Sequence, residues 1–300
     1  MTDTSFRHTV KFIVNPVSGN GRTGKILPHL LGIAKRLGVN FDLQLTKAPE
    51  HATELASDRS DQFDVMVAVG GDGTVNEVAA GAFKSQKIMG VIPTGTGNDF
   101  ARALGKLKSL HDYVHRLVSG KIKSIDIGSV QMDGREALFV NGVGVGFDAE
   151  VAKESLSIHG LKGISKYLLA VAKTLRNYKS SFMKIELDDR LIEQRTFLVA
   201  IGNGISAGGG FLLTPHALLD DGILDVCMAC ELSIPKVMRI LPRAINGTLE
   251  KRREVLMTRT THIRIQSETP VSIHRDGEVS NLKVGEIAVQ IIPGSLKVIA

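Results

Sequence analysis

The sequence predicts an α/β plus β chain, in which an α/β domain is followed by a β-rich domain. Up to about Ser124, short apolar runs of strand character alternate with helix-like segments, as in a parallel sheet covered by helices. After Ser124 the apolar runs are mostly those of strands. The 300 residues exceed a typical single domain. We expect domains at residues 1–128 and 129–300, with the last strand free to return to the first domain.

Each strand of the first domain is predicted to lead into a helix. The expected strands are Val10–Val14, Phe41–Leu45, Val65–Val69 and Lys87–Ile92, and the helices that follow them are Lys25–Leu37, Glu50–Ala56, Val75–Phe83 and Phe100–Leu104. Parallel sheets bind their ligands at the carboxyl ends of the strands, so the turns after these strands are the first candidates for a site.

The second domain is predicted to contain one long helical segment, between Ala149 and Tyr178, among many strands. The expected strands are Ala137–Val145, Phe182–Leu187, Thr196–Ile201, Ile223–Met228, His262–Ile265 and Glu286–Ile292. Such a series favours an antiparallel sandwich or barrel. An active site would then lie in the cleft between the two domains.

Composition and charge restrict the class of protein. Apolar residues make up 43% of the chain, and no apolar run approaches the ~20 residues of a membrane span, so we expect a cytoplasmic protein. Cys227 and Cys230 have no second pair to complete a zinc site, and we expect them to be buried apolar residues. The net charge of +6 is concentrated between Glu231 and Arg264, where eight basic residues face three acidic ones. This stretch suggests a surface that meets phosphate or anionic lipid.

A first glycine-rich segment, from Asn15 to Lys25, follows a strand and precedes a helix, where backbone amides can bind phosphate. The glycines from Gly19 to Gly24 have the spacing of a Rossmann loop, but no acidic residue ends the next strand. Gly19 to Lys25 also fits the start of a P-loop, except that Ile26 replaces the magnesium-binding Ser or Thr. A flexible connection remains a third interpretation.

A second segment, Gly70-Gly71-Asp72-Gly73-Thr74, ends an apolar strand and predicts a nucleotide phosphate site. Its glycines let a ligand approach the backbone, and Asp72 offers a carboxylate that can hold magnesium or position phosphate. Thr74 and Glu77 also have the spacing of a capping box, so Thr74 could simply start the next helix.

A third glycine-rich turn, from Pro93 to Arg102, follows the next strand. Asn98 or Asp99 as an ordinary helix N-cap is the simplest interpretation of its polar end. Together the three turns outline one phosphate-binding crevice built from helix N-termini and backbone amides.

The ordered motifs of the chain resemble those of the diacylglycerol kinase catalytic family, which includes bacterial lipid kinases, ceramide kinases and sphingosine kinases. The matching segments are Asn15-Pro16-x-Ser18-Gly19, Gly70–Glu77, Gly95–Ala101, Asn141–Ala149, Gly208–Gly210, Pro215–Val226 and Asp276–Glu278. The resemblance implies an ATP-dependent lipid kinase. Its N-terminal domain would be of the NAD kinase/phosphofructokinase type, and its C-terminal domain would be a β-sandwich that receives a diacylglycerol-like acceptor.

The resemblance also implies positions for the ligands. ATP contacts would come from Asn15, Thr46, Gly70, Gly71, Asp72, Gly73, Thr74, Val75, Asn76 and Thr96. A structural Mg²⁺ would map to Asp221 and the carbonyls of Leu218 and Ile223, oxygen ligands that suit this cation. The residues alone leave Asp220-Asp221-Gly222 equally well explained as a turn.

The acceptor hydroxyl needs a proton acceptor, and the resemblance places it in the segment Asp276-Gly277-Glu278. We expect Glu278 to be the base, with Asp276 orienting the substrate or binding metal. Without the resemblance, Asp276-Gly277 is a strong hairpin-turn signal.

Contact with the lipid substrate is expected to be transient and peripheral, at the inner membrane face. Ile164, Tyr167, Leu168, Val171 and Leu175 have helical spacing, which also suits ordinary core packing. The Lys251-Arg252-Arg253 cluster is the expected contact with anionic membranes.

Partners and alternative functions complete the expectations from the sequence. Nucleic acid is not expected as a partner, because no recognised binding motif is present, and a homodimer is neither indicated nor excluded. The alternatives to a lipid kinase are a soluble-substrate kinase of the NAD-kinase type and a non-catalytic regulator that binds nucleotide or lipid.

Overall fold

The computed structural model describes residues 8–60, 62–132, 134–158, 160–161, 163–188, 190–280 and 283–300. Its chain forms two compact units. The first unit comprises Met1–Ile125 together with Gly294–Ala300, and the second comprises Asp126–Pro293. The α/β plus β class expected from the sequence is confirmed.

The first unit is built on a parallel sheet. Its elements are β1 (Thr9–Val14), α1 (Arg22–Arg36), β2 (Asn40–Leu45), α2 (His51–Ala56), β3 (Val65–Gly70), α3 (Asp72–Ser85), β4 (Ile88–Pro93), α4 (Asp99–Ala103) and α5 (Leu110–Ser119). The strand order is β2-β1-β3-β4, and all of these pairs are parallel. The C-terminal segment of the chain adds one more parallel strand beside β4, through Val298 opposite Met89.

The order of the strands creates a switch point between β1 and β3. From β1 the chain moves outward to β2, and it then crosses back over β1 to reach β3 on the other side. The two crossovers run in opposite directions, so α1 and α2 cover opposite faces of the sheet. Helix α3 packs against α2, and α5 packs against α1. Every residue of β3 is buried, as expected for a central parallel strand with both faces covered.

The second unit is mainly antiparallel. Its elements are β5 (Ile122–Met132, from Asp126 onward), β6 (Arg135–Phe139), β7 (Gly142–Gly146), α6 (Phe147–Leu156), α7 (Gly163–Thr174), β8 (Ser181–Leu187), β9 (Leu191–Gly202), β10 (Leu224–Cys230), α8 (Ile234–Asn246), β11 (Val255–Thr260), β12 (His262–Val271), β13 (Ile273–Arg275), β14 (Glu278–Val279) and β15 (Val284–Ile299, up to Pro293).

Strands of the second unit pair in the order β14-β13-β7-β9-β8-β12-β15, while β10 joins β9 to β11 and β6 pairs with β5. Apolar side chains from these strands, such as Val143, Ile201 and Ile265, form one buried cluster. Two sequence expectations need correction. The long helix splits into α6 and α7, and the strand expected at Ala137–Val145 splits into β6 and β7.

Two expectations about individual segments can now be assessed. Cys227 is buried within β10, where burial raises the pKa of its thiol to about 12, and Cys230 at the strand end is half-buried. The prediction of buried cysteines is therefore confirmed only for Cys227.

Among the described residues, no helix is long and apolar enough to cross a membrane.

Candidate functional site

Three glycine-rich loops meet at the carboxyl end of the parallel sheet in the first unit. They follow β1, β3 and β4, and they approach one another so closely that side chains are excluded. A Cβ atom on Gly95 would clash with the backbone of Gly71. Gly19 has a φ of +62°, and a Cβ there would collide with the carbonyl oxygen of Thr94. The packing of these loops therefore requires glycine at both positions.

Hydrogen bonds fasten the three loops together. The side-chain amide of Asn15 donates to the hydroxyl of Thr74 over 3.2 Å. The hydroxyls of Thr23 and Thr94 lie 2.5 Å apart, and the backbone N–H of Thr94 donates to the carbonyl of Gly70 over 2.8 Å. The loops after β1, β3 and β4 therefore form one connected structure at the edge of the sheet.

The carboxylate of Asp72 binds the start of helix α4. Its two oxygens accept the backbone N–H groups of Asn98 and Asp99, each over 2.7 Å, and Asp99 in turn pairs with Arg102 over 2.7 Å. Asn98 occupies the N-cap position of this helix, as the simplest interpretation expects, but its side chain makes no cap hydrogen bond. The cap comes instead from Asp72, which lies 26 residues earlier.

Helix α3 begins at Asp72, directly after Gly71 in the N-cap position. The expected capping box between Thr74 and Glu77 is wrong, since α3 has no side-chain cap. Glu77 instead accepts the backbone N–H groups of Glu50 and Ala52, over 3.0 and 3.1 Å, at the start of α2. Backbone N–H groups in a first helical turn lack intrahelical partners, so the N-terminus of α3 is suited to bind an anion.

The residues expected to contact the nucleotide occupy three kinds of position. Asn15, Gly70–Thr74 and the loop that carries Thr96 lie together at the switch point, and Thr96 itself is exposed. Thr46 lies at the end of β2, where its backbone N–H donates to Val14 over 2.8 Å. Val75 and Asn76 are buried in α3, so their side chains face the protein interior.

In the second unit, Asp276 and Gly277 form a two-residue hairpin turn between β13 and β14, with φ values of +48° and +84°. The hairpin signal is therefore confirmed. The Asp276 carboxylate is buried and accepts the backbone N–H groups of Val140, Asn141 and Gly142 over 2.7 to 2.9 Å. Asp276 thus holds the turn against the connection between β6 and β7.

Glu278 occupies a different environment on the same hairpin. It lies opposite Arg275 in the β13–β14 pair, its Oε2 is 3.0 Å from the Arg275 guanidinium, and its side chain is 41% exposed. Both oxygens of Asp276 are occupied by backbone donors, whereas Glu278 is accessible. Of the two expected catalytic carboxylates, Glu278 is therefore the one positioned to exchange a proton, and the arrangement of Asp276 gives no support to a metal-binding role.

Burial raises the pKa of Asp276 from its ordinary 3.8 to about 6, even though its three backbone donors favour the charged form. Between these values the unfolded chain has released the proton that the folded chain still holds. We therefore expect the free energy of unfolding to fall by about 3 kcal/mol as the pH rises from about 4 to about 6, and to level off above. Urea unfolding of wild type and Asp276→Asn at each pH isolates this contribution. A difference between the two that does not change with pH would contradict it, and carboxyl carbon NMR measures the folded-state pKa directly.

An apolar cavity lies between the helices and the sheet of the second unit. Its volume is about 80 Å³. Its walls include Phe147, Val171, Phe197, Phe211 and Ile240. The apolar stripe of α7 faces inward here, as the core-packing interpretation expects.

One wall of the cavity carries a carboxylate that the sequence did not single out. The oxygens of Asp148 lie 3.2 Å from the Tyr167 hydroxyl and 2.9 Å from Nε2 of His274. A Cβ on Gly144 would clash with both Asp148 and His274, so glycine is needed beside them. Asp148 lies within Asn141–Ala149, a segment that the family resemblance matched without giving this residue a role.

The expected structural magnesium site contains the positive charge of Arg259 as well as carboxylates. The Asp221 carboxylate pairs with the guanidinium of Arg259 and also accepts the N–H of Ile223 over 3.2 Å. Nε of Arg259 lies 3.6 Å from buried Asp225, whose pKa is raised mainly by that burial. The donor chemistry suits Mg²⁺, but a divalent cation could use Asp221 only after Arg259 had moved away. No cluster of three metal-ligating side chains occurs in the part of the chain that the structure describes.

Two family models match the chain. Residues 9–130 match the diacylglycerol kinase catalytic domain, and residues 141–300 match the YegS C-terminal NAD kinase beta sandwich-like domain. A diacylglycerol kinase from Bacillus subtilis (strain 168) is 29% identical over 283 residues, covering 92% of this chain and 91% of the relative. One from Mycobacterium tuberculosis (strain CDC 1551 / Oshkosh) is 28% identical over 296 residues, covering 97% and 94%.

Solved structures agree on the fold. Two crystal structures from Bacillus anthracis str. Sterne, assigned as diacylglycerol kinases, superpose with TM-scores of 0.80 and 0.72. They are 23% and 22% identical to this chain and cover 99% of it, while 97% and 98% of their own lengths are covered. At this identity the likeness establishes the fold.

Proposed function

Because the chain belongs to the family that joins a diacylglycerol kinase catalytic domain to a YegS C-terminal beta sandwich-like domain, we propose that it transfers the γ-phosphate of ATP to the hydroxyl of a diacylglycerol-like lipid. The observation that carries the proposal is the trio of interlocked glycine loops at the switch point of the parallel sheet. Open α/β sheets bind nucleotides at such points.

The nucleotide phosphates would lie against the N-terminus of α3. Backbone N–H groups of Gly71 and Gly73, and of the Thr96 loop, supply donors without bulky side chains, and the helix dipole favours negative charge. Asn15 and Thr46, at the ends of β1 and β2, would contact the rest of the nucleotide. Mg²⁺, as in other phosphoryl transfers, would neutralise charge on the phosphates.

The apolar cavity of the second unit would receive part of the acceptor's acyl chain. Its lining is almost entirely aromatic and aliphatic, which suits a hydrocarbon and not a soluble substrate such as NAD. Asp148 and Tyr167 line this cavity and form a polar pair at one wall. The pair would orient the polar end of the lipid, since a carboxylate can accept from a glycerol hydroxyl and a phenol hydroxyl can donate to an ester oxygen.

Glu278 would act as the general base of the transfer. It would accept the proton of the lipid hydroxyl while the hydroxyl oxygen attacks the γ-phosphorus and ADP leaves with the bridging oxygen. The products are ADP and a phosphorylated lipid. Asp276 supports this step indirectly, since its three backbone hydrogen bonds fix the turn from which Glu278 projects.

The proposal is tested by incubating the purified protein with ATP labelled in the γ-phosphate, Mg²⁺, and either diacylglycerol in mixed micelles or NAD. We expect label to appear in the lipid fraction, and Glu278→Gln protein purified in parallel controls for contaminating kinases. Label in NADP would favour the NAD-kinase alternative. Nucleotide binding without transfer to diacylglycerol, NAD or a panel of extracted lipids would favour the non-catalytic alternative.

A further inference from the structure

Helix α8 of the second unit has apolar residues on two separate faces. Its inner face carries Val237, Ile240 and Ala244, which are buried and line the apolar cavity. Its outer face carries Ile234 and Met238, which are 52% and 55% exposed. A surface helix that packs one face on a core normally shows polar residues on the other. The exposed apolar side chains therefore need an explanation of their own.

The outer face of α8 is itself divided into an apolar and a basic strip. At about 100° per residue, Ile234, Met238 and Pro242 fall within one sector. Lys236, Arg239 and Arg243 fall in the sector beside it. We call these six residues the α8 surface.

The charge of the α8 surface is positive throughout its length. No acidic residue occurs from Leu232 to Leu249. Glu254, which lies beyond the helix, interacts with both Lys236 and Arg239, and its carboxylate is 3.8 Å from Nζ of Lys236. The basic cluster Lys251-Arg252-Arg253 follows closely in the chain. A strip of exposed apolar residues beside a strip of cations matches the interface of an anionic bilayer, which offers acyl chains below a layer of phosphates.

We propose that the α8 surface docks on an anionic membrane, with Ile234 and Met238 inserted at the head-group boundary and Lys236, Arg239 and Arg243 against lipid phosphates. The proposal rests on the proposed function and deepens it. The helix that docks is also a wall of the cavity that receives the acyl chain, so docking brings that wall to the source of the lipid. A second copy of this chain suits the surface less well, because a two-fold contact would set the basic strips of two α8 helices against each other.

Two double variants test the two strips separately. Ile234→Ser with Met238→Ser removes the apolar strip, and Lys236→Gln with Arg239→Gln removes two charges. Lys35→Gln with Arg36→Gln, on exposed positions of α1, and Leu191→Ser, at the exposed start of β9, are matched controls. All replaced side chains are exposed, and thermal unfolding monitored by circular dichroism checks that the variants fold.

Binding is measured by sedimentation with vesicles of phosphatidylcholine alone or with 30% phosphatidylglycerol added, roughly the anionic share that gives a strong surface potential. We expect the charge variant to weaken binding to anionic vesicles by about 25-fold, at about fivefold per basic residue, and to change binding to neutral vesicles little. The apolar variant should weaken binding by at least about tenfold. The controls should bind as wild type does.

Transfer assays separate this proposal from the proposed function. With a short-chain diacylglycerol that stays monomeric in solution, the α8 variants should match wild type, whereas on vesicle-borne substrate they should be slower. Absence of transfer by wild type to any lipid would refute the proposed function, while vesicle binding would still test docking. The docking proposal would be overturned if both double variants bound anionic vesicles as tightly as wild type does. It would also be overturned if sedimentation velocity showed that wild type is a dimer and that the apolar variant is not.

Discussion

Replacement of Glu278 by Gln is expected to lower the rate of phosphate transfer by about 10²- to 10⁴-fold, the usual contribution of a general base. The amide is nearly the same size but cannot accept the proton of the lipid hydroxyl. ATP affinity should be unchanged, because the glycine-rich loops that we propose bind its phosphates belong to the first unit, whereas Glu278 belongs to the second. Single-turnover kinetics with labelled ATP measure the transfer, and calorimetry measures nucleotide binding.

Glu268→Gln is the matched control for this experiment, since Glu268 is exposed on β12 of the same unit. It should leave the transfer rate unchanged. A transfer rate of Glu278→Gln within a few-fold of wild type would remove Glu278 from the role of base. Because both oxygens of Asp276 are held by backbone donors, that outcome would not pass the role to Asp276 without a rearranged turn.

Replacement of Asp72 by Ala is expected to damage both stability and catalysis. It leaves the N–H groups of Asn98 and Asp99 without their acceptor, which should cost about 2 to 4 kcal/mol of unfolding free energy. The loop after β4 would then lose its fixed position against α3, and a displaced phosphate site should reduce turnover by about a hundredfold or more. Denaturant unfolding and steady-state kinetics give the two values.

Asp72→Asn separates the two hydrogen bonds of this carboxylate, because its amide keeps one acceptor oxygen and presents a donor in place of the other. We expect it to lose about half of the stability that the Ala variant loses. Asp42→Ala, at an exposed position on β2, is the control. An unfolding free energy of Asp72→Ala equal to that of wild type would mean that the α4 cap is not fastened by Asp72.

Periodicity was sufficient for most elements of the first unit, where buried parallel strands such as β3 give uninterrupted apolar runs. Helix α8 was not predicted from the sequence, because it contains Pro235 and Pro242, and proline usually ends a helix. Proline is tolerated in the first turn, where Pro235 stands, and Pro242 lies on the exposed side. Helix α5 was not predicted from the sequence either, although Ser109 and Asp112 have the spacing of a capping box at its start.

The positions of the site residues were predictable, but their partners were not. Gly70–Thr74 stands out by its glycines after an apolar strand, whereas Asp276–Glu278 was assigned to the site through the family resemblance. That Asp72 caps α4, and that Asp276 binds amides 134 to 136 residues away, depends on tertiary contacts between distant segments. A local capping rule favours the nearest acceptor, such as Asn98, and it fails when a stronger charged acceptor arrives from another loop.

The closing strand of the parallel sheet has a consequence for biosynthesis. Val298 pairs with Met89, Ile299 lies in the core with Leu30 and Tyr113, and Ala300 exchanges two backbone hydrogen bonds with Lys121. These partners leave the ribosome long before residues 294–300 do. The parallel sheet of the first unit therefore keeps one edge and part of its core uncovered until the whole second unit has been translated. Because of this order of segments along the chain, the exposed sheet edge needs protection while the protein is being translated.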